Sequence, residues 1–117
     1  MEARLLDFGR IEIEGQTYER DVVIDGGTIR PRKKGPSKKY RGSNGHTPLS
    51  TAESIPWGGR RLIVGTGANG ELPIMPEVLE EAGRRGIELV AIPTREACRL
   101  IRDVDAPKVR AILHVTC

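Results

Sequence analysis

A chain of 117 residues, 38% apolar and 30% charged, has the size and make-up of one globular domain with its own buried core. No apolar run reaches the roughly twenty residues a membrane helix needs, and residues 1–4 carry charges where a secretory signal would be apolar. A cytoplasmic protein with no membrane partner is therefore expected. Cys98 and Cys117 form no C-x-x-C pair and have no histidine cluster beside them in sequence, so reduced thiols, no metal and no cofactor are expected.

Residues 1–31 read as a β-meander. Ile11 and Ile13 alternate with Glu12 and Glu14, Gly15-Gln16 offers a turn, and residues 17–24 are rich in β-branched and aromatic side chains. Asp25-Gly26-Gly27 is a hairpin signal, and Pro31 limits the strand begun by residues 28–30 to an edge.

Residues 32–48 form a basic segment. The net charge of +3 conceals it: Arg32, Lys33, Lys34, Lys38, Lys39 and Arg41 lie here without an acid, so the remaining residues sum to −3. Gly35-Pro36-Ser37 and Gly42-Ser43-Asn44-Gly45 break helix and strand, which makes this a loop, expected to be mobile. Those six cations are candidate contacts for a protein partner, an acidic one included, or for a small anion. Tyr40 is the lone aromatic among them, too little stacking surface for sequence-specific nucleic-acid binding.

Residues 49–117 read as β-α-β-α-β. Ser50-Thr51-Ala52-Glu53 has the capping-box spacing and predicts a short helix. Leu62-Ile63-Val64, Leu89-Val90-Ala91-Ile92 and Ala111-Ile112-Leu113 are unbroken apolar runs, suited to parallel strands covered on both faces. Between the first two, residues 76–85 predict a helix with Val78, Leu79 and Ala82 on its apolar face. Between the second and third, residues 94–103 predict another, with Thr94 as its cap and Ala97, Leu100, Ile101 and Val104 at helical spacing. The fold class expected is α/β, three layers about a mixed central sheet.

Gly65-Thr66-Gly67-Ala68-Asn69-Gly70 spells G-x-G-x-x-G after a strand, but Pro73 and Pro76 oppose the helix that a dinucleotide site needs. A tight turn, or a nest of amides for a small anion, remains. Parallel strands would bring their C-terminal ends to one edge. Gly65, Thr66, Gly67, Asn69, Thr94, Arg95 and His114 are the candidate ligand residues there, near Thr116 and Cys117. His114 is equally well explained as a hydrogen-bonded core imidazole. A Cys117–His114 nucleophile would require two residues on opposite faces of a continuing strand, and no catalytic residue is assigned.

Several strings in order also carry a resemblance: Asp21-Val22-Val23-Ile24, Arg32-Lys33-Lys34, His46 before Leu49-Ser50, Ile63-Val64-Gly65-Thr66-Gly67 with Gly70, Pro93-Thr94-Arg95-Glu96-Ala97, and Leu113-His114-Val115-Thr116-Cys117. The chain resembles a family of small α/β proteins first defined by an archaeal hypothetical protein. That family includes the adipogenesis-associated domain protein and assembly factor three of respiratory complex I. The resemblance implies a three-layer fold with a mixed sheet and, for most members, an unknown activity. The leading functional expectation is a non-catalytic accessory or adaptor protein, assembly-related, using the basic segment. The alternative is a small-molecule or anion-binding domain, or an enzyme, using a pocket at the strand ends.

Overall fold

The computed structural model describes residues 1–43 and 45–117; Asn44, part of the expected glycine-rich break, lies outside them. The chain begins with three antiparallel strands, β1 (Ala3–Asp7), β2 (Arg10–Ile13) and β3 (Gln16–Tyr18), which form a sheet of their own. β1 escaped the sequence reading because its Ala3, Leu5 and neighbouring charges resemble an ordinary polar terminus. The single strand expected over residues 17–24 is divided. Its first part is β3, and its second, β4 (Val22–Asp25), belongs to the other sheet and pairs with β5 (Thr28–Pro31) as the hairpin signal predicts.

The larger sheet is mixed. β6 (Arg61–Thr66) lies between β7 (Glu88–Ile92) and β8 (Arg110–His114), parallel to both, and β8 pairs antiparallel with β4 on its other side. The strand order is β5-β4-β8-β6-β7. This makes β7 an edge. Its residues are only half-buried and Ala91 is exposed, so the two-sided cover expected from its apolar run is realised only by β6 and β8.

Alternate residues of those central strands face two cores. Ile63, Ala111, Leu113, Val22 and Ile24 pack with Ala97, Cys98 and Ile101 of α2 (Thr94–Ile101) and with Ala3, Leu5, Ile11 and Ile13 of the small sheet. Leu62, Val64, Ile112 and Val23 face the opposite side, where Val78 of α1 (Pro76–Arg84) joins Leu49, Ile55 and Leu72. The two helices thus cover opposite faces. α1 begins at Pro76, where a missing amide hydrogen costs nothing. Leu79 departs from expectation: it is 52% exposed, because α1 presents only Val78 and Ala82 to the core.

The basic segment is not a plain loop. Gly35–Tyr40 forms a 3-10 turn whose own Ser37 is fully buried. The helix expected from the capping box is also absent. Residues 50–53 make one turn, in which Ser50 Oγ accepts from the Ala52 amide and the Glu53 amide donates to Ser50 O. Glu53 is occupied elsewhere, as described below. No helix is long and apolar enough to cross a membrane among the described residues.

Burial separates two substitutions that composition alone would equate. Ile63→Ala in the sheet interior, where Ile63 is 3% exposed, should cost about 2–5 kcal/mol. Leu79→Ala should change stability by no more than ~0.5 kcal/mol. Urea unfolding of the two variants measures both, and equal losses would contradict this packing.

Candidate functional site

The antiparallel pairing of β4 with β8 sets Val22 opposite Leu113, which brings Asp21 alongside His114 at the C-terminal end of β8. Asp21 Oδ2 lies 2.8 Å from His114 Nδ1, and its Oδ1 accepts from the Val115 amide at 3.0 Å. With a carboxylate facing Nδ1, that nitrogen carries the proton, and Nε2 turns towards the Thr116 hydroxyl at 3.2 Å. Arg32 completes the Asp21 shell: its Nη1 donates to Oδ2 at 2.9 Å.

Arg32 is the largest departure from the sequence reading. Expected among six outward cations, its side chain is 1% exposed. Nε and Nη2 form a two-pronged pair with Glu53 Oε1 and Oε2 at 2.8 and 2.9 Å, and Nη2 also reaches Pro48 O. Ser37 Oγ donates to Glu53 Oε2 at 2.6 Å and lies 2.7 Å from Ser50 Oγ. Burial opposes the Arg32 charge, but Glu53 and Asp21 outweigh it and raise its pKa above the ordinary value. A capping box and a charge run both misread these residues, because each partner lies far along the chain.

The glycine-rich loop is also used internally. A crevice is expected where the helices following adjacent parallel strands go to opposite faces, here between the ends of β6 and β7. It is closed. Thr94, fully buried, accepts from the Gly67 amide at 2.8 Å and donates to His114 O at 2.6 Å. Thr94 is thus a clamp rather than the helix cap expected of it, a place taken by Pro93. A Cβ at Gly65 would stand 2.8 Å from Thr94 Oγ1, and Gly67 has φ +110 with His114 Cδ2 at 2.8 Å from a Cβ position, so both glycines serve close approach. The amides of Ala68, Asn69 and Glu71 donate to Thr116 O, Cys117 O and Cys117 O, which leaves no amide nest for an external anion.

Of the candidate strand-end residues, Gly65, Thr66, Gly67, Thr94 and His114 come together, the first four buried as packing elements. The Asn69 side chain is exposed on the loop. Arg95 is elsewhere: its Nη1 donates to Leu5 O of β1, beside Arg4, Arg99 and Arg102 on the α2 face. A cleft of about 260 Å3 lies beside β8, with Leu72 at its apolar wall, and a second of about 260 Å3 adjoins it, bordered by Glu19, Asp21 and Val115 and sharing His114 and Thr116. Lys34, Arg41, His46, His114 and Cys117 are among the other residues lining the first, and the edge of Arg32 reaches it too. Arg41 Nε donates to Thr47 Oγ1 at 3.1 Å, holding the far wall. His114 and Cys117 therefore border one cavity, despite their expected opposite facing. Lys33, Lys38 and Lys39 remain exposed, with Lys39 Nζ 5.2 Å from the centre of the Tyr40 ring.

A larger cleft of about 530 Å3 lies at the opposite sheet end, bordered by Gly58, Gly59, Arg60, Arg61, Lys108 and Arg110. Arg110 is already engaged there. Its Nη1 donates to Pro107 O, and its Nε lies 2.9 Å from Asp25 Oδ1 in an ion contact without hydrogen-bond alignment. Cys98 and Cys117 are not bonded to each other, and burial pushes the Cys98 thiol up to about 11, which makes it a packing residue.

The Asp21 network carries a pH signature. Burial raises the Asp21 pKa, but His114, the Val115 amide and Arg32 together outweigh burial and hold it below the ordinary 3.8. A carboxylate depressed in the folded state contributes stability above its unfolded pKa and loses it as pH falls through the folded value. Thermal stability should therefore be insensitive to this group above about pH 5 and decline below about pH 4. Asp21→Asn should be less stable at neutral pH and show a shallower acid decline, read by melting temperature against pH. An unchanged acid limb would remove Asp21 from this role.

Comparison with known proteins places this geometry in context. A family model described as a protein of unknown function (DUF498/DUF598) matches residues 4–101. The conserved hypothetical protein PH1505 from Pyrococcus horikoshii OT3 is a similar solved structure, with TM-score 0.78 and 31% identity over 100% of both chains. A second, MT938, has TM-score 0.62 and 26% identity, covering 94% of this chain and 93% of its own. No curated protein matches. The ordered motifs from Asp21 to Cys117 thus carried a true kinship, and the chain belongs to the DUF498/DUF598 family of proteins of unknown function.

Proposed function

We propose that this protein binds a small anionic metabolite, one bearing a carboxylate or phosphate, in the cleft beside β8. The observation that carries this reading is the composition of the cleft wall. Arg32, Lys34, Arg41, His46 and His114 border it, and the Glu71 carboxylate stands at its edge, 3.9 Å from His46 Nε2, as a single acid against these bases. Asp21, hydrogen-bonded to His114 Nδ1, is paired with Arg32 and the Val115 amide and borders the adjoining cavity instead. The His114 ring is thereby held with Nε2 towards the Thr116 hydroxyl, so a ligand oxygen would find its donors in Lys34 and Arg41. At about 260 Å3 the cleft is smaller than the ~300–1,000 Å3 of drug-sized ligand sites, which favours a small metabolite over a nucleotide. Two groups of candidates, the basic segment and the strand-end edge, contribute to one cavity in this reading.

A ligand selective for the folded state at a hundred times its Kd adds about 2.7 kcal/mol, several degrees of melting temperature in a domain of this size. Phosphate and a panel of small carboxylates should produce such a shift in the metal-free protein. The double variant Lys34→Ala, Arg41→Ala should fold normally and lose it. A flat panel, or a shift that survives in the double variant, would retire the cleft.

One observation favours the adaptor reading as a second function. Lys33, Lys38 and Lys39 are exposed outside the cleft, next to the 39%-exposed Tyr40. Replacing these three lysines with Glu should leave folding intact, because exposed charges contribute little to stability. It should abolish salt-sensitive capture of an acidic protein partner while sparing the anion shift. Partner capture that is indifferent to both salt and the triple variant would count against this surface.

A further inference from the structure

We propose that His46, Glu71 and Cys117 form a binding site for a divalent transition metal of the zinc type, with one coordination position open to the cleft. A ring nitrogen of His46, a carboxylate oxygen of Glu71 and the Cys117 sulfur all lie within 4.8 Å of one another. They come from three separate places: the segment after the 3-10 turn, the glycine-rich loop after β6, and the residues after β8. Sequence spacing gives no hint of them, since 46, 71 and 117 match no ligand motif.

The geometry is close to what a metal needs. With bonds of about 2.0–2.3 Å in a tetrahedron, neighbouring donors stand roughly 3.3–3.8 Å apart. His46 Nε2 and Glu71 Oε2 are already at 3.9 Å. The remaining closure of about 1 Å falls to side chains at the surface, Glu71 being 53% exposed, so ions also have a way in.

Two of the three donors are held in register by the backbone. The Asn69 and Glu71 amides donate to Cys117 O at 3.1 and 3.0 Å, which ties the loop carrying one ligand to the residue carrying another. Charge balance favours the same assignment. Lys34 and Arg41 share the cavity and would repel a bare dication, but a carboxylate and a thiolate supply two negative charges that cancel it. The thiol proton leaves to solvent as the metal–sulfur bond forms. A sulfur, nitrogen and oxygen set selects zinc or cobalt over magnesium or calcium. Three protein donors with a fourth position open is the arrangement of zinc sites that bind a ligand, whereas structural sites are closed by four. The open position would take one oxygen of the anion held by Lys34 and Arg41. That last step rests on the anion-cleft reading; the metal site itself does not.

The test is a cobalt(II) titration of the metal-free full chain, in a buffer without phosphate or carboxylate. One equivalent should bind, with a near-ultraviolet thiolate-to-cobalt band that zinc displaces. Cys117→Ser should lose the band, while Cys98→Ala retains it. His46→Ala and Glu71→Gln should each weaken binding by at least ~10-fold, no less than the loss of a group that merely supports a ligand. Melting curves establish that each variant is folded. Absence of the band in the wild type at millimolar cobalt, or its survival in Cys117→Ser, would overturn the proposal. An anion shift in metal-free protein that takes up no cobalt would do so while leaving the anion reading intact. Cobalt binding without any anion shift would support the metal site and sink only its last step.

Discussion

A guanidinium buried to 1% exposure is the constraint around which the strand-end region is arranged. Withdrawing a charge from water costs several kcal/mol even after relaxation, so Arg32 is tolerable only with its partners in place. Glu53 supplies two oxygens, Asp21 one and Pro48 a carbonyl, and those groups come from two stretches of chain, one on each side of Arg32. Each partner is fixed by a further contact: Glu53 by Ser37, and Asp21 by His114 and the Val115 amide. The consequence is positional. Such a network adds little net stability compared with an apolar core, but it admits one arrangement of the basic segment against β4 and β8.

That arrangement explains why the basic segment behaves as a wall and not as a tail. Once Arg32 is anchored and Ser37 of the 3-10 turn is bound to Glu53, Lys34 and Arg41 border the cleft and Lys33, Lys38 and Lys39 face solvent. One run of like charges is thereby divided into a paired strut at the cleft wall, the cations Lys34 and Arg41 beside it and an outward patch, each with different chemistry.

The other end of the cleft is shaped by a competition for backbone donors. A glycine-rich loop after a parallel strand offers amides to an anion, but here the loop amides are taken by residues 116 and 117, while Thr94 takes the Gly67 amide and anchors it to β8. The usual crevice between β6 and β7 is sealed as a result, and the open space at this end lies beside the residues that follow β8. The same hydrogen bonds carry Cys117 to the loop that bears Glu71, within reach of His46. Self-recognition at the G-x-G turn thus brings together the groups from which a ligand site can be built.

What this sequence determined by itself was its local and periodic content. The β-α-β-α-β order, the parallel apolar runs of β6 and β8, the Asp25-Gly26-Gly27 hairpin and both helices follow from apolar spacing, proline and glycine, interactions that span a few residues. The ordered motifs were also sufficient to reach the right family. Pairings across the chain were beyond it. Arg32 with Glu53, Asp21 with His114, Thr94 with Gly67 and His114, and the gathering of His46, Glu71 and Cys117 depend on strand order and on where loops cross, which no periodicity encodes. A buried cation and a solvated one have the same letter. Only the tertiary structure decides whether water or a carboxylate surrounds it, and that choice separates a charge that holds the fold from one available to a ligand.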